Sequence, residues 1–268
     1  MFSNIMKKMF SIAIVIVLVF LAGNAITVGF EKYQCSRMLD AIENNDMEKL
    51  ESALKYGNPN SVPGIPFLES LAQFPYRKTP LQLACSKGDF ELVKFLVENG
   101  ADVNYVKINA LLYPLWYAAV ESDNPEIVRY LLEKGAVPES LKKPILYIMM
   151  DVELPPNGME IIRELVDAGT DMSYKGYLYD ACYWKHEELI RYFVEECRYD
   201  ASDPYYLCGY CFGVKKYSIE TLEYFLQHGA NPYTKNLSDK SAIEHLQEKS
   251  PEWAEKLIEL AAKYGFEE

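Results

Sequence analysis

Seven times along the chain, a quartet that is wholly or mostly apolar precedes a turn at the same offsets. Before Gly100 stand Leu92, Val93, Leu96 and Val97; before Gly135, Ile127, Val128, Leu131 and Leu132; before Gly169, Ile161, Ile162, Leu165 and Val166. Gly57, Gly229 and Gly265 are approached in the same way, with Lys49 and Thr221 as the polar members before the first two, and one copy ends at Cys197 after Leu189, Ile190, Phe193 and Val194. Offsets of i, i+1, i+4 and i+5 lay a single apolar stripe on a helix of two to three turns. A glycine just past the stripe supplies the left-handed residue that stops such a helix. The endpoints 57, 100, 135, 169, 197, 229 and 265 lie 28 to 43 residues apart. Short helices that recur at a period in the low thirties bury their stripes against one another, as a stack of like units.

A second, shorter helix is expected before each stripe. In the unit ending at Gly100 it begins at Pro80, since proline suits the first helical turn, where its missing N–H would be unpaired anyway. Ala84 and Cys85 follow as a small pair that lets a neighbouring helix come close. Tyr113-Pro114-Leu115-Trp116-Tyr117-Ala118-Ala119 repeats the design, and Tyr179-Asp180-Ala181-Cys182 keeps the small pair.

These residues carry a family resemblance. "TPLQLA" and the "GDFELVKFLVENGADVN" that closes at Asn104 resemble the ankyrin repeat, whose period is about 33 and whose signature is T-P-L-H-x-A. "YPLWYAAVESDNPEIVRYLLEKGAVP", 113–138, is a second match, and "ETLEYFLQHGANP", 220–232, matches the closing half of a third. Tetratricopeptide repeats have nearly the same period but lack the Thr-Pro-Leu opening and the Gly-Ala-Asp-Val-Asn close. The resemblance runs over residues 37–265. It implies an all-α ankyrin-repeat solenoid of about seven helix-turn-helix units serving as a non-catalytic scaffold for protein–protein interaction. Gln82 and Trp116 depart from the pattern at the usual histidine position, and Cys197 departs at a helix-ending glycine. Segments 61–78, 152–158 and 210–217 depart as insertions or lengthened turns.

The first thirty residues follow other rules. Lys7 and Lys8 precede Met9–Phe30, 22 residues without a charge. As a helix these can cross a hydrocarbon layer about 30 Å thick. Gly23-Asn24-Ala25 is also a small-x-small pattern that a signal peptidase could cut after Ala25. Residues 1–30 are therefore expected to be a transmembrane anchor or a signal peptide, and 31–268 the repeat domain. With the two lysines inside, either reading puts the repeat domain outside the cytoplasm, tethered through residues 9–30 or secreted.

Composition narrows the function. The chain carries 27 basic and 39 acidic residues, and residues 31–268 alone carry 25 and 39, a net of −14. That balance is a poor match for nucleic acid. His186, His228 and His245 have neither metal-ligand nor triad spacing, and no phosphate-binding loop is present, so neither cofactor nor metal is expected. Cys208-Gly209-Tyr210-Cys211 is the sharpest chemical motif. It reads as a pair of small helix-core residues, with a disulfide or a thiol oxidoreductase pair as the alternatives.

Recognition is expected on the turn tips and on the exposed face of each first helix. Aligned on the Thr79 unit, these positions are Arg77, Lys78, Gln82, Ser86 and Lys87; in the next unit they are Trp116, Tyr117 and Glu121. Further on they are Tyr174, Tyr179, Tyr183 and Trp184, then Tyr206 and Tyr210. Aromatic residues dominate binding hot spots because they bury much area at little entropic cost. The partner is a protein that the sequence does not identify. An immunity-type protein neutralising a basic toxin is the alternative that the acidic charge suggests.

Overall fold

The computed structural model describes residues 2–62, 78–105, 113–138, 149, 154–213 and 216–267, with side chains from residue 14 onward. Arg77 and most of the 61–78 insertion lie outside these residues. Among them the secondary structure is helical, with no strand. The fold is the all-helical solenoid that the resemblance to ankyrin repeats implies, and it divides into two compact parts, Met1–Val137 and Pro138–Glu268.

The first part opens with helix α1, Phe2–Glu43, 42 residues without a break. Its apolar residues from Ile14 to Phe30 are exposed, whereas Cys35, Met38, Ala41 and Ile42 are fully buried in the first repeat. The helix therefore runs across position 30 and becomes the first helix of that repeat. The sequence shows why nothing interrupts it. Later units begin with Thr79-Pro80 or Tyr113-Pro114, and a proline marks a helix start because its ring clashes with the preceding turn. The corresponding residues of the first unit are Ser36-Arg37, which a helix accepts.

Helix α2, Met47–Leu54, completes the first unit. Helices α3, Pro80–Lys87, and α4, Phe90–Glu98, form the second. The third is α5, Pro114–Trp116, running into a π-helical turn, Tyr117–Glu121, and then α6, Pro125–Glu133. The π turn was not expected, but its cause is countable. Pro80 stands nine residues before the Asp89 cap, and Pro114 stands ten before the Asn124 cap. The extra residue is absorbed by one wider turn, in which Ser122 N–H donates to Tyr117 O at 3.0 Å.

The second part holds α7, Gly158–Asp167; α8, Gly176–Tyr183; α9, Glu187–Glu195; and α10, Pro204–Phe212. It ends with α11, Ile219–Gln227; α12, Ala242–Lys249; and α13, Pro251–Lys263. Side-chain caps fix many helix starts. Asp46, Asp89, Asn124 and Ser218 accept from the first-turn N–H groups, and Thr79 with Gln82 and Ser241 with Glu244 form reciprocal capping boxes. Each cap contributes about 1 kcal/mol.

Helix ends follow the sequence at Gly100, Gly135, Gly169, Gly229 and Gly265, whose φ values lie between 79° and 97°. The residue after each turns back to a carbonyl five positions earlier, as Ala101 N–H does to Leu96 O at 2.9 Å. Two expected ends differ. Gly57 does not have positive φ; an added Cβ there would meet Ala53 O and Gln34 Cβ at 2.9 Å, so close packing explains this glycine. At the Cys197 end the left-handed residue is Arg198, φ 64°, one position later.

The Asn that closes each consensus unit ties it to the next. Asn104 Nδ2 donates to Gly135 O at 2.8 Å, and its Oδ1 accepts from Val137 N–H at 3.0 Å. Asn60 makes the same pair of bonds with Gly100 O and Asp102 N–H.

Candidate partner-binding face

In the first part, the expected residues converge but satisfy one another. Lys78 Nζ donates to Ser86 Oγ and to Glu121 Oε2, both at 2.6 Å, and lies 4.6 Å from the Tyr117 ring centre. Ser86 Oγ–H also donates to Glu121. Partial burial pushes the Glu121 carboxyl up, but the Lys78 and Ser86 bonds outweigh it and hold it below the usual carboxylate range. The π turn ends at Glu121 and delivers this carboxylate to its partners.

Three expected surface residues in this part have structural roles. Gln82 is buried, and its side chain accepts from Thr79 N–H at 2.8 Å in the capping box. Tyr117 is buried under Lys78 and edge-on to Trp116. Lys87 Nζ donates to Ile42 O, Glu43 O and Asn45 Oδ1 at 2.7–2.9 Å. Its cation closes the C-terminus of α1, where positive charge is favoured, and clamps two units together.

The second part is organised around rings. Tyr183, Tyr179 and Tyr205 form a row of nearly parallel planes: Tyr183 and Tyr179 are 6.4 Å apart at 20°, and Tyr179 and Tyr205 are 4.4 Å apart at 21°. Trp184 stands edge-on to Tyr183, and Tyr174 is exposed on the same stretch. A Cβ added to Gly209 would sit 2.7 Å from two Tyr179 ring carbons, which explains a glycine in the middle of α10. Burial raises the Tyr205 hydroxyl pKa, and the negative charges of Asp180 and Asp203 add to the rise. Lys175 reaches Asp203 at 3.4 Å with most of its side chain in water.

Tyr206 and Tyr210, expected on this face, are buried instead. Helix α10 starts at Pro204, which turns Tyr205 outward and its neighbour inward. Tyr210 OH accepts from Ser218 N–H at 2.9 Å and donates to Glu187 Oε1 at 3.2 Å, so it anchors the start of α11. Tyr205 replaces both as a surface residue. Its exposure could have been read from the Asp203-Pro204 start signal.

Cys208 and Cys211 are buried free thiols in the C-terminal half of α10. Burial pushes Cys208 up to about 12, and burial and the neighbouring Cys208 push Cys211 up. A redox thiol needs the opposite setting, a helix N-terminus or a cation that lowers its pKa. Cys208 Sγ instead approaches Lys240 O at 3.7 Å. Both side chains are packed in the core, and for Cys211 burial outweighs the lowering effect of the Lys185 cation. Among the described residues, no group of His, Cys, Asp and Glu has the arrangement of a metal site.

Comparison with known proteins fits this construction. Residues 37–141 match the family model described as ankyrin repeats (3 copies). Over those residues the chain carries ankyrin repeats. It is 37% identical over 86 residues to putative ankyrin repeat protein FPV115 of Fowlpox virus (strain NVSL), a stretch that is 32% of this chain and 14% of that one. The chain spans less than half the length of the curated relatives it matches. Among solved structures, the human ASB11 ankyrin repeat domain superposes with a TM-score of 0.63 at 22% identity, covering 83% of this chain and 96% of that one. A chain in the structure of the Bdellovibrio bacteriovorus predatory endopeptidase Bd0816 with immunity protein Bd3460 gives 0.53 at 20% identity, over 67% and 96%. These likenesses establish the fold. An ankyrin-repeat domain is a protein–protein interaction domain, and such domains are typically non-enzymatic scaffolds.

Proposed function

We propose that this ankyrin-repeat protein is a non-catalytic binder held on a membrane by α1 and displayed outside the cytoplasm. The observation that carries the binding role is the row of Tyr183, Tyr179 and Tyr205 beside Trp184. These are large rings left partly open to water on first helices, the face such repeats present to partners. Helix α1 supports the membrane role by its length and its exposed apolar residues from Ile14 to Phe30. Lys7 and Lys8 support the orientation.

A photo-crosslinking amino acid placed at Tyr183 or Trp184 of the full chain in its own membrane tests the binding role. Capture of one defined protein from those positions, and none from Glu255 on α13, is the expected result. Equal labelling from all three positions refutes it. An alkaline membrane wash tests the anchor: the chain stays in the pellet when α1 spans the bilayer and is released, shortened at its N-terminus, when the leader is cut.

A second reading is an immunity-type role, in which the protein neutralises a basic toxin. Residues 138–268 carry 24 acidic and 14 basic residues, a net of −10, and the Bd3460 complex has a chain of the same fold. A partner that proves to be a basic enzyme, inhibited in a salt-sensitive way, would favour it.

A further inference from the structure

Helix α1 joins its apolar run to the first repeat without a break, so every residue of that repeat has a height above the run. Counted from Phe30, where the charge-free run ends, Tyr33 and Gln34 stand about 4.5 and 6 Å higher, at about 1.5 Å of rise per residue. Helix α2 runs back down beside α1. The ion pair of Lys49 with Asp40 fixes its upper end. Gly57 fixes its lower end, where an added Cβ would sit 2.9 Å from Gln34 Cβ. Lys55 and Tyr56 therefore lie close to the height of Gln34.

Two rings and two cations meet at this level. Tyr33 and Tyr56 are 60% and 61% exposed. The Arg37 guanidinium lies 5.9 Å from the centre of the Tyr33 ring, and Lys55 Nζ lies 5.4 Å from that of Tyr56. The Arg37 backbone is higher, but helix side chains lean towards the N-terminus. Its Nη1 donates to Gln34 Oε1 at 3.1 Å, which brings the charge down to the level of the rings. Its Nη2 donates to Ser52 Oγ at 3.2 Å, another neutral partner. Among the described residues neither Arg37 nor Lys55 has a carboxylate partner, whereas Lys49, Lys78, Arg163 and Lys263 pair with Asp40, Glu121, Glu196 and Glu223. Glu31 and Lys32 offset one another in charge. The carboxylates of Asp40, Glu48 and Glu51 belong to residues a turn or more higher on the two helices. The lower end of an acidic domain thus carries a local surplus of positive charge.

We propose that this end of the first repeat, formed by Tyr33, Arg37, Lys55 and Tyr56, sits in the headgroup layer of the bilayer and binds the phosphate groups of anionic phospholipids. The inference rests on the membrane-anchor reading above and names what the repeat touches beside that anchor. The polar layer is about 5–7 Å thick on each side of the hydrocarbon, which matches the height of the rings and cations. Tyrosine suits that depth, with its ring against the acyl chains and its hydroxyl in water. Arginine and lysine beside it meet phosphate, and the guanidinium fork can hold two of its oxygens. Because α1 continues into the repeat, the patch stays at this depth for as long as the helix spans the bilayer.

The test uses the full chain in bilayer nanodiscs made of equal parts phosphatidylcholine and phosphatidylglycerol. A photo-crosslinking amino acid replaces Tyr33 or Tyr56, or Glu48 at the upper end of α2 as the control. Mass spectrometry after irradiation should find phospholipid adducts at Tyr33 and Tyr56, and at least tenfold fewer at Glu48. Adducts at Tyr33 should favour phosphatidylglycerol about fivefold over its share of the disc. Arg37→Gln with Lys55→Gln should bring that preference back to the composition of the disc. Adduct yields at the tyrosines no higher than at Glu48 overturn the proposal. So does the absence of a phosphatidylglycerol preference, a comparison that needs neither cation changed and so holds even if the double variant misfolds. The alkaline wash separates the two readings. A chain that stays in the pellet but gives no lipid adducts keeps the anchor and loses this inference; a chain released by the wash loses both.

Discussion

The two compact parts use one repeat and bond it differently. In Met1–Val137 most of the ties between units are amides and a lysine aimed at backbone carbonyls, Asn60, Asn104, Asn124 and Lys87, beside the Lys78–Glu121 ion pair. In Pro138–Glu268 a lysine again reaches backbone carbonyls, Lys185 to Tyr210 O and Gly213 O, but rings take a larger share, with Tyr199 OH at 2.7 Å from Met172 O and Arg163 over Tyr192. Charge and composition diverge to match. The first part holds 13 basic and 15 acidic residues and 7 tyrosines; the second holds 14, 24 and 14. A backbone-directed amide works only at a fixed register, so it leaves a fixed sequence mark. Ring packing tolerates many arrangements and leaves a looser one.

The sharpest way to break this contrast is to remove a ring from the second part. Tyr210→Ala deletes a fully buried aromatic and orphans Ser218 N–H. It should cost about 3–5 kcal/mol, read as lost amide-exchange protection in residues 154–267 with the first part unchanged. Protection lost equally in both parts would show that the two do not respond separately.

Alkaline pH should separate the parts next. Burial raises Cys182, Cys208 and Cys211 above their ordinary pKa of 9.0, and raises Tyr199, Tyr206, Tyr210 and Tyr224 above 10.0. An acid whose folded pKa is raised contributes stability that is present below its unfolded pKa and lost above it. The second part should therefore lose stability as pH rises past about 9, by a few kcal/mol in all. Lys185 works in the opposite direction. Burial lowers it to about 8 even though its ammonium bonds Tyr210 O and Gly213 O and faces the Tyr217 ring. Between about 8 and 10.5 the unfolded chain holds a proton that the folded chain releases, so this one group gains stability with pH. Among the described residues, the first part has Cys85, Tyr117 and Tyr130 as its raised groups and should lose less. Urea melts followed by exchange mass spectrometry from pH 7 to 10.5 would show the difference.

Asn104→Ala removes two ties between turns and should cost about 1–2 kcal/mol in the first part, read by the same exchange method. Arg163→Gln is the smallest change. Both members of its ion pair are about half exposed, so the loss should stay below about 1 kcal/mol. If Arg163→Gln costs as much as Asn104→Ala, the ion-pair and ring ties are stronger than their exposure implies.

The same contrast explains what could be read in the sequence. The match to ankyrin repeats ends at residue 141, just past the tie from Asn104 to Val137. Helix ends at Gly100 to Gly265 were legible because only a glycine takes φ near 90° cheaply. Gly57 misled because it is kept for contact, and Arg198 because a non-glycine took the turn. Candidate site residues fared less well. Charge and exposure are properties of neighbours in space, so Lys78 looked available and is engaged, and Lys87 looked like a surface cation and is a clamp. Tyr206 and Tyr210 differ from Tyr205 only by helix phase, which the position of Pro204 sets.

The absence of a proline at Arg37 has a mechanical consequence. An apolar helix that enters the first repeat without a joint works as a mast, whereas a linker would be a leash. When α1 lies in a bilayer, a leash would let the repeat sweep a hemisphere, but the mast leaves it spin about the helix axis and lateral drift. A partner diffusing in the same membrane then meets the repeat at one height and a narrow range of tilts. Encounters become a search in two dimensions, made at a fixed angle.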